Sequence, residues 1–129
     1  MKSTTIYILD QNPNQGNFLK YHLSGNGFKG VQHFSSMEEC LYSIQKNNHP
    51  DFIILDPGNS GGPFLNFMEV VQRINREIRF IIFSSRDNEQ EMKHFLDAGA
   101  TDYIQRYGDN LKNFTELVSN IRFILKDSE

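Results

Sequence analysis

Phe52-Ile53-Ile54-Leu55 runs without a polar residue between Asp51 and Asp56. A strand that is wet on one face alternates apolar and polar side chains. An unbroken run has to be covered on both faces, as in a parallel sheet layered with helices. The stretch therefore selects architectures in which strands alternate with crossover helices. Other short apolar runs stand at residues 6–9, 80–83 and 103–104, and Val31 to Phe34 reads as a weak strand.

Helix signals fill the intervals. Asn12 before Pro13 reads as a cap and a first-turn proline. Phe18, Leu19, His22 and Leu23 then share one face, and Gly25 and Gly27 stop the helix. Ser36 and Glu39 have capping-box spacing ahead of Met37, Cys40, Leu41 and Ile44. Residues 57–63 hold three glycines and two prolines and read as a loop. Phe67, Met68, Val70, Val71 and Ile74 form a third helical face. Met92, Phe95 and Leu96 form a fourth, stopped at Gly99. Leu111, Phe114, Leu117, Val118, Ile121, Ile124 and Leu125 line a long last helix. The sum is an α/β fold: a five-stranded, doubly wound parallel sheet with helices on both faces and right-handed crossovers.

Composition bounds the rest. The 129 residues suffice for one domain, read here as residues 1–129 with a core over about 5–125 and a polar tail at 126–129. Hydrophobic residues at 38% exclude a disordered composition. A net charge of −3 argues against direct nucleic-acid binding. The single cysteine excludes an internal disulfide framework and a Cys-rich zinc site, and Cys40 reads as inert core. No apolar run approaches the ~20 residues of a membrane span, and the N-terminus lacks a signal-peptide core. The expectation is a soluble cytoplasmic chain.

In such sheets the working site lies beyond the carboxyl ends of the strands. The residues there are Asp10 and Gln11, Asp56, Ser84 and Ser85, and Gln105 and Arg106. Two carboxylates, a hydroxyl and a guanidinium in one cleft have a chemical logic. Asp10 and Asp56 can share Mg²⁺, which takes one or two carboxylates and fills its octahedron with water and phosphate oxygen. Ser84 can bond an anionic oxygen, and Arg106 can fork onto one. A carboxylate so placed can attack phosphorus and form an acyl phosphate. The blander readings are a turn-forming Asp56, a backbone-bonded Ser84, and an Arg106 paired with a surface acid such as Asp109. The four histidines, His22, His33, His49 and His94, share no ligand spacing, and the acidic run 87–91 reads as a helix start.

From Ile6 to about Leu125 the chain resembles the receiver domains of two-component response regulators, a flavodoxin-like architecture. The sharpest match is Ser84-Ser85-Arg86-Asp87 through Asp97-Ala98-Gly99-Ala100-Thr101-Asp102-Tyr103-Ile104-Gln105-Arg106, with Pro50-Asp51-Phe52-Ile53-Ile54-Leu55-Asp56 as the phosphoacceptor strand. The resemblance implies that Asp56 accepts a phosphoryl group from a histidine kinase or histidine phosphotransfer protein. It implies that Asp10, Asp56 and the Gly58 backbone carbonyl hold Mg²⁺, with Gln11 as an optional further ligand. Ser84 becomes the switch hydroxyl and Tyr103 the aromatic that follows it. A downstream protein would read the face of the fourth helix, fifth strand and fifth helix. The domain would be a signalling switch, not a metabolic enzyme, and the last helix offers one route to a homodimer. Departures are Gln11 where the family has a second acid, Arg106 for a lysine, Tyr107 for the following proline, and the Pro57-led loop. Losing a carboxylate weakens the metal site, and a flat fork does not reproduce a point charge. Gln11, Pro57 and the altered loop motivate a rival, an unphosphorylated pseudo-receiver serving as a protein-interaction module. A flavodoxin-like cofactor binder or a hydrolase is a further rival, although residues 11–17 make no phosphate cradle.

Overall fold

The computed structural model describes residues 3–59 and 61–127. Its elements alternate as expected: β1 Thr5–Leu9, α1 Pro13–Gly25, β2 Gly30–Phe34, α2 Met37–Gln45, β3 Phe52–Leu55, α3 Gly61–Ile74, β4 Arg79–Ser84, α4 Glu89–Asp97, β5 Asp102–Gln105 and α5 Asn110–Asp127. The strands form one parallel sheet in the order β2-β1-β3-β4-β5. The order reverses between β1 and β3, so β3 is central and buried along its whole length.

The period-two alternation of the strands sorts the core into two layers. Ile6, Ile8, Phe52, Ile54, Ile81, Phe83 and Ile104 face Leu19 and Leu23 of α1 and Phe114, Leu117 and Ile121 of α5. Tyr7, Leu9, Ile53, Leu55, Phe80 and Ile82 face Cys40 and Ile44 of α2, Phe64, Phe67, Met68 and Val71 of α3, and Phe95 of α4. Buried Tyr7 keeps its hydroxyl satisfied, donating to the Asn48 carbonyl at 2.7 Å and lying 2.8 Å from Ser43 Oγ.

The caps follow the chemistry of the sequence. Asn12 Oδ1 accepts from the backbone N–H of Asn14 and Gln15 at 3.1 and 3.2 Å, with Pro13 at the first helical position. Ser36 Oγ accepts from the Glu39 N–H at 3.2 Å.

Three expectations change. Helix α3 begins at Gly61, so Pro63 lies in its first turn and not in a loop; a proline is tolerated there because its missing N–H has no helical partner to lose. Ser60 of that loop and the tail residues Ser128 and Glu129 lie outside the described residues. Lys126 and Asp127, read as tail, continue α5. Phe18 and Leu111, assigned to buried faces, are 56% and 65% exposed. The buried line of α1 runs through Gly16, Leu19 and Leu23, which turns Phe18 to the edge, where its ring meets Phe114 at 5.5 Å. Leu111 sits in the first turn of α5, ahead of the buried stretch that begins at Asn113 and Phe114.

Gly16 is required by close approach. A Cβ there would overlap the His33 ring on β2, whose Nε2 lies 2.9 Å from the Asp10 carbonyl and donates to it. In an open helix interior Gly→Ala stabilises by about 1 kcal/mol. Here Gly16→Ala is expected to destabilise by roughly 1–3 kcal/mol through overpacking. Urea unfolding checks the sign. Cys40 is fully buried, and burial pushes its thiol up to about 12. It should resist iodoacetamide in the native protein and react at once in denaturant, which mass spectrometry would read.

Candidate functional site

The parallel ladder runs one bond past the strand ends and thereby lines up the rim. The N–H of Asp10 donates to the Phe34 carbonyl at 3.1 Å, that of Asp56 to the Leu9 carbonyl at 3.1 Å, and that of Arg106 to the Ser84 carbonyl at 2.7 Å. Each functional side chain is thus fixed by the backbone of a neighbouring strand. Asp10, Gln11, Asn12, Gln15, Asp56, Gly58, Asn59 and Ser85 enclose a cleft of about 390 Å³.

At its border the charged groups converge. Arg106 Nη1 stands 3.6 Å from Asp56 Oδ2, with the two side chains only 7% and 10% exposed. The guanidinium carbon lies 4.5 Å from the Phe83 ring centroid and 6.0 Å from that of Phe114. Burial lowers the Arg106 pKa, and the carboxylates of Asp56 and Asp10 oppose that shift. Asp10 is buried, and burial raises its pKa; the N–H of Asn12, donating to Oδ1 at 2.9 Å, pulls it back. The Asp56 charge raises it further, while Arg106 and His33 lower it. Asp56 Oδ1 accepts from the Gly58 N–H at 2.9 Å in a local turn of the Asp side chain onto its own backbone, and Gly58 then leaves with a φ of +56°. The donor that Pro57 removes is therefore supplied one residue later.

The residues fit a hard divalent cation. The charge of Asp56 adds to the cost of ionising Asp10, which a cation between them would relieve. Among the described residues no group of three or more His, Cys, Asp and Glu side chains gathers, so the remaining ligands have to be carbonyl and water oxygens. That is a magnesium-type donor set, not a zinc-type one. Gln11 is exposed on the same rim, within reach of Gly58.

Ser84 and Tyr103 stand one layer deeper. Ser84 is fully buried, and its Oγ accepts from the Arg86 N–H at 3.1 Å; Ser85 lines the cleft in its place. The Tyr103 hydroxyl is buried without a hydrogen bond of ordinary geometry. Burial raises its pKa, and the Ser84 hydroxyl lies near enough to lower it in part. Arg106 pairs with Asp56, whereas Asp109 Oδ1 accepts the N–H of Leu111 at 3.0 Å at the start of α5.

Two residues escaped sequence reading. Gln15, one turn into α1, places its carboxamide between Asp56 and Arg106; its signal is its position four residues after Gln11 beyond a firm cap. Glu91, read as part of a helix start, is buried against the start of α3 and pairs with Arg86 at 3.3 Å. The flanking Asp87, Glu89 and Gln90 gave it the look of a wet surface.

Comparisons with known proteins agree with this fold. The family described as response regulator receiver domain matches residues 6–117. The phosphate regulon transcriptional regulatory protein PhoB of Klebsiella pneumoniae is 30% identical over 110 residues, 81% of this chain and 44% of that protein. The KDP operon transcriptional regulatory protein KdpE of Escherichia coli is 27% identical over 103 residues, 80% of this chain and 44% of that protein. The chain thus matches less than half the length of these curated relatives. A response regulator from Thermotoga maritima superposes with a TM-score of 0.82 at 18% identity, over 97% of this chain and 99% of that one. A two-component response regulator from Clostridium difficile gives 0.81 at 20% identity, over 95% and 96%. Both share the fold.

Asp10→Asn removes a charge that burial disfavours and keeps an oxygen for the Asn12 N–H. A carboxyl whose pKa is raised on folding is penalised in its ionised form, so wild type carries that cost above the raised value and sheds it as pH falls toward 3.8. Without divalent cations, the variant should unfold at higher urea than wild type at mildly alkaline pH, with the gap closing in acid. A lower midpoint in alkali would show that the carboxylate is compensated in place.

Proposed function

Because this chain belongs to the response regulator receiver domain family, we propose that Asp56 accepts a phosphoryl group from a phosphohistidine of a histidine kinase or a histidine phosphotransfer protein. The observation that carries the reading is the buried meeting of Asp56 with Arg106 at 3.6 Å beside a second buried carboxylate, Asp10.

The step balances simply. A carboxylate oxygen of Asp56 forms a bond to phosphorus, the phosphorus–nitrogen bond of the donor breaks, and the imidazole leaves with the electron pair and takes up a proton. Arg106 faces the oxygens on which charge gathers, in a site where water has been thinned out by Phe83 and Phe114. Asp10, Asp56 and the Gly58 carbonyl would hold Mg²⁺, with Gln11 or its water at the edge, and the cation would offset the negative charge brought together there. The Gly58 N–H keeps Asp56 Oδ1 occupied and leaves Oδ2, on the Arg106 side, as the attacking oxygen.

The phosphoryl group then accepts a hydrogen bond from the hydroxyl of Ser84. To reach it, Ser84 Oγ gives up the Arg86 N–H, which frees the segment between β4 and α4. Tyr103, whose hydroxyl has no firm partner of its own, follows. The face of α4, β5 and α5 changes shape, and a downstream protein reads the change. In energetic terms a new charge biases a two-state equilibrium. Residues 1–129 act as one receiver domain in the cytoplasm, a switch that is set and reset and not a catalyst of metabolism.

A second reading is favoured by one observation: Gln11 presents a neutral amide where a second acid would strengthen cation binding. On that reading the chain is a pseudo-receiver that binds partners without modification. Incubation with Mg²⁺ and acetyl phosphate separates the two. Intact mass should rise by one phosphoryl group, chelation of the cation should abolish the rise, and Asp56→Asn should show none. Unchanged mass with several small phosphodonors would select the pseudo-receiver.

A further inference from the structure

Gln15 is the third residue of α1, and its side chain reaches across the cleft from the helix to the sheet. Its carboxamide head meets both charged partners. The inward end lies 3.3 Å from Asp56 Oδ2 and 3.0 Å from Arg106 Nη2, with Arg106 Nη1 also in contact. The amide can present nitrogen or oxygen there, not both. Nitrogen would donate to Asp56 while facing two guanidinium donors; oxygen accepts from Arg106 at both Nη atoms. The guanidinium is charged and carries only donors, so oxygen inward is the better match.

The surroundings show why Arg106 needs such a partner. The Phe83 ring centroid lies 4.5 Å from its guanidinium carbon, with that of Phe114 farther off at 6.0 Å, and a guanidinium carries its hydrogen-bond donors only at the edge of its plane. The side chain is 7% exposed, so water supplies little. Asp56 gives the edge a contact of 3.6 Å, an ion pair longer than a hydrogen bond. An in-plane acceptor is what is missing, and the Gln15 oxygen provides it. A lysine ammonium, a compact point charge with rotatable donors, would have no comparable need.

We infer that Gln15 is a positioning residue: its amide oxygen holds the Arg106 fork in plane and aimed at Asp56, which lets an arginine serve the acceptor site. The inference rests on the proposed phosphorylation of Asp56. It assigns Gln15 no contact with the transferring group; it acts through Arg106.

The test uses the whole chain with Gln15→Met, which keeps length and helix propensity but offers no acceptor, in the wild-type and Arg106→Lys backgrounds. The first readout needs no phosphodonor: the Arg106 Nε–H signal in ¹⁵N-resolved spectra. It should shift and exchange faster with water in Gln15→Met. The second is the initial rate of phosphoryl uptake from acetyl phosphate with Mg²⁺, followed by intact mass. Gln15→Met should slow uptake roughly five- to tenfold in the wild-type background and less than about twofold in the Arg106→Lys background, since coupled neighbours are non-additive. An unmoved Arg106 signal, or equal slowing in both backgrounds, overturns the inference. If wild type takes up no phosphoryl group, the reading of Asp56 falls, and the Arg106 signal alone decides whether Gln15 holds the guanidinium.

Discussion

Double-sided burial of β3 is the constraint on which the rest of the structure depends. Because Phe52, Ile53, Ile54 and Leu55 are all dry, β3 takes the centre of the sheet and layers have to close over both faces. Centrality then determines where its C-terminal residue goes. Asp56 emerges beside the end of β1, where the strand order reverses, and its backbone stays bonded to Leu9. The acid is brought to the rim by the packing of hydrocarbon beneath it. What it can do there is set by its neighbours: Asp10 one strand away and Arg106 reaching in from the end of β5.

The rim is held out of electrostatic balance. Burial makes ionised Asp10 costly, Asp56 adds to the cost, and Arg106 offsets only part of it while being desolvated itself. A site so arranged favours the arrival of further charge, a cation among the carboxylates and an anion opposite the guanidinium. Ser84 and Tyr103 lie behind this front, one bonded to a loop amide and the other buried with an unsatisfied hydroxyl. In the proposed switch, both respond to what happens at that front.

Much of the fold was legible because it rests on local rules. The apolar runs marked the strands, and the pairs Asn12-Pro13 and Ser36–Glu39 marked helix starts that the structure reproduces. The convergence of Asp10, Asp56 and Arg106 was readable from strand ends alone, given parallel order. Other features are decided by tertiary contact and leave no periodic trace. Phe18 and Leu111 have apolar side chains at helical spacing yet are exposed. Glu91 looks like a solvated acid until Arg86 and α3 close over it. Gln15 is one amide among several near the first helix, and only the reach of Arg106 gives it a task. The start of α3 at Gly61 was hidden because glycine and proline read as loop wherever they cluster, although the first turn of a helix admits both.

The stacking of Arg106 on Phe83 and Phe114 has a mechanical consequence. Those rings belong to the layer that seats α5 against the sheet, so the guanidinium is the outermost plank of that layer as well as the positive pole of the cleft. Pulling the pole outward toward a new anion slides the plank off the rings beneath α5. Charge at the mouth and carbon contact under the last helix therefore share a single lever arm, and a small electrical tug at one end becomes a change of footing at the other.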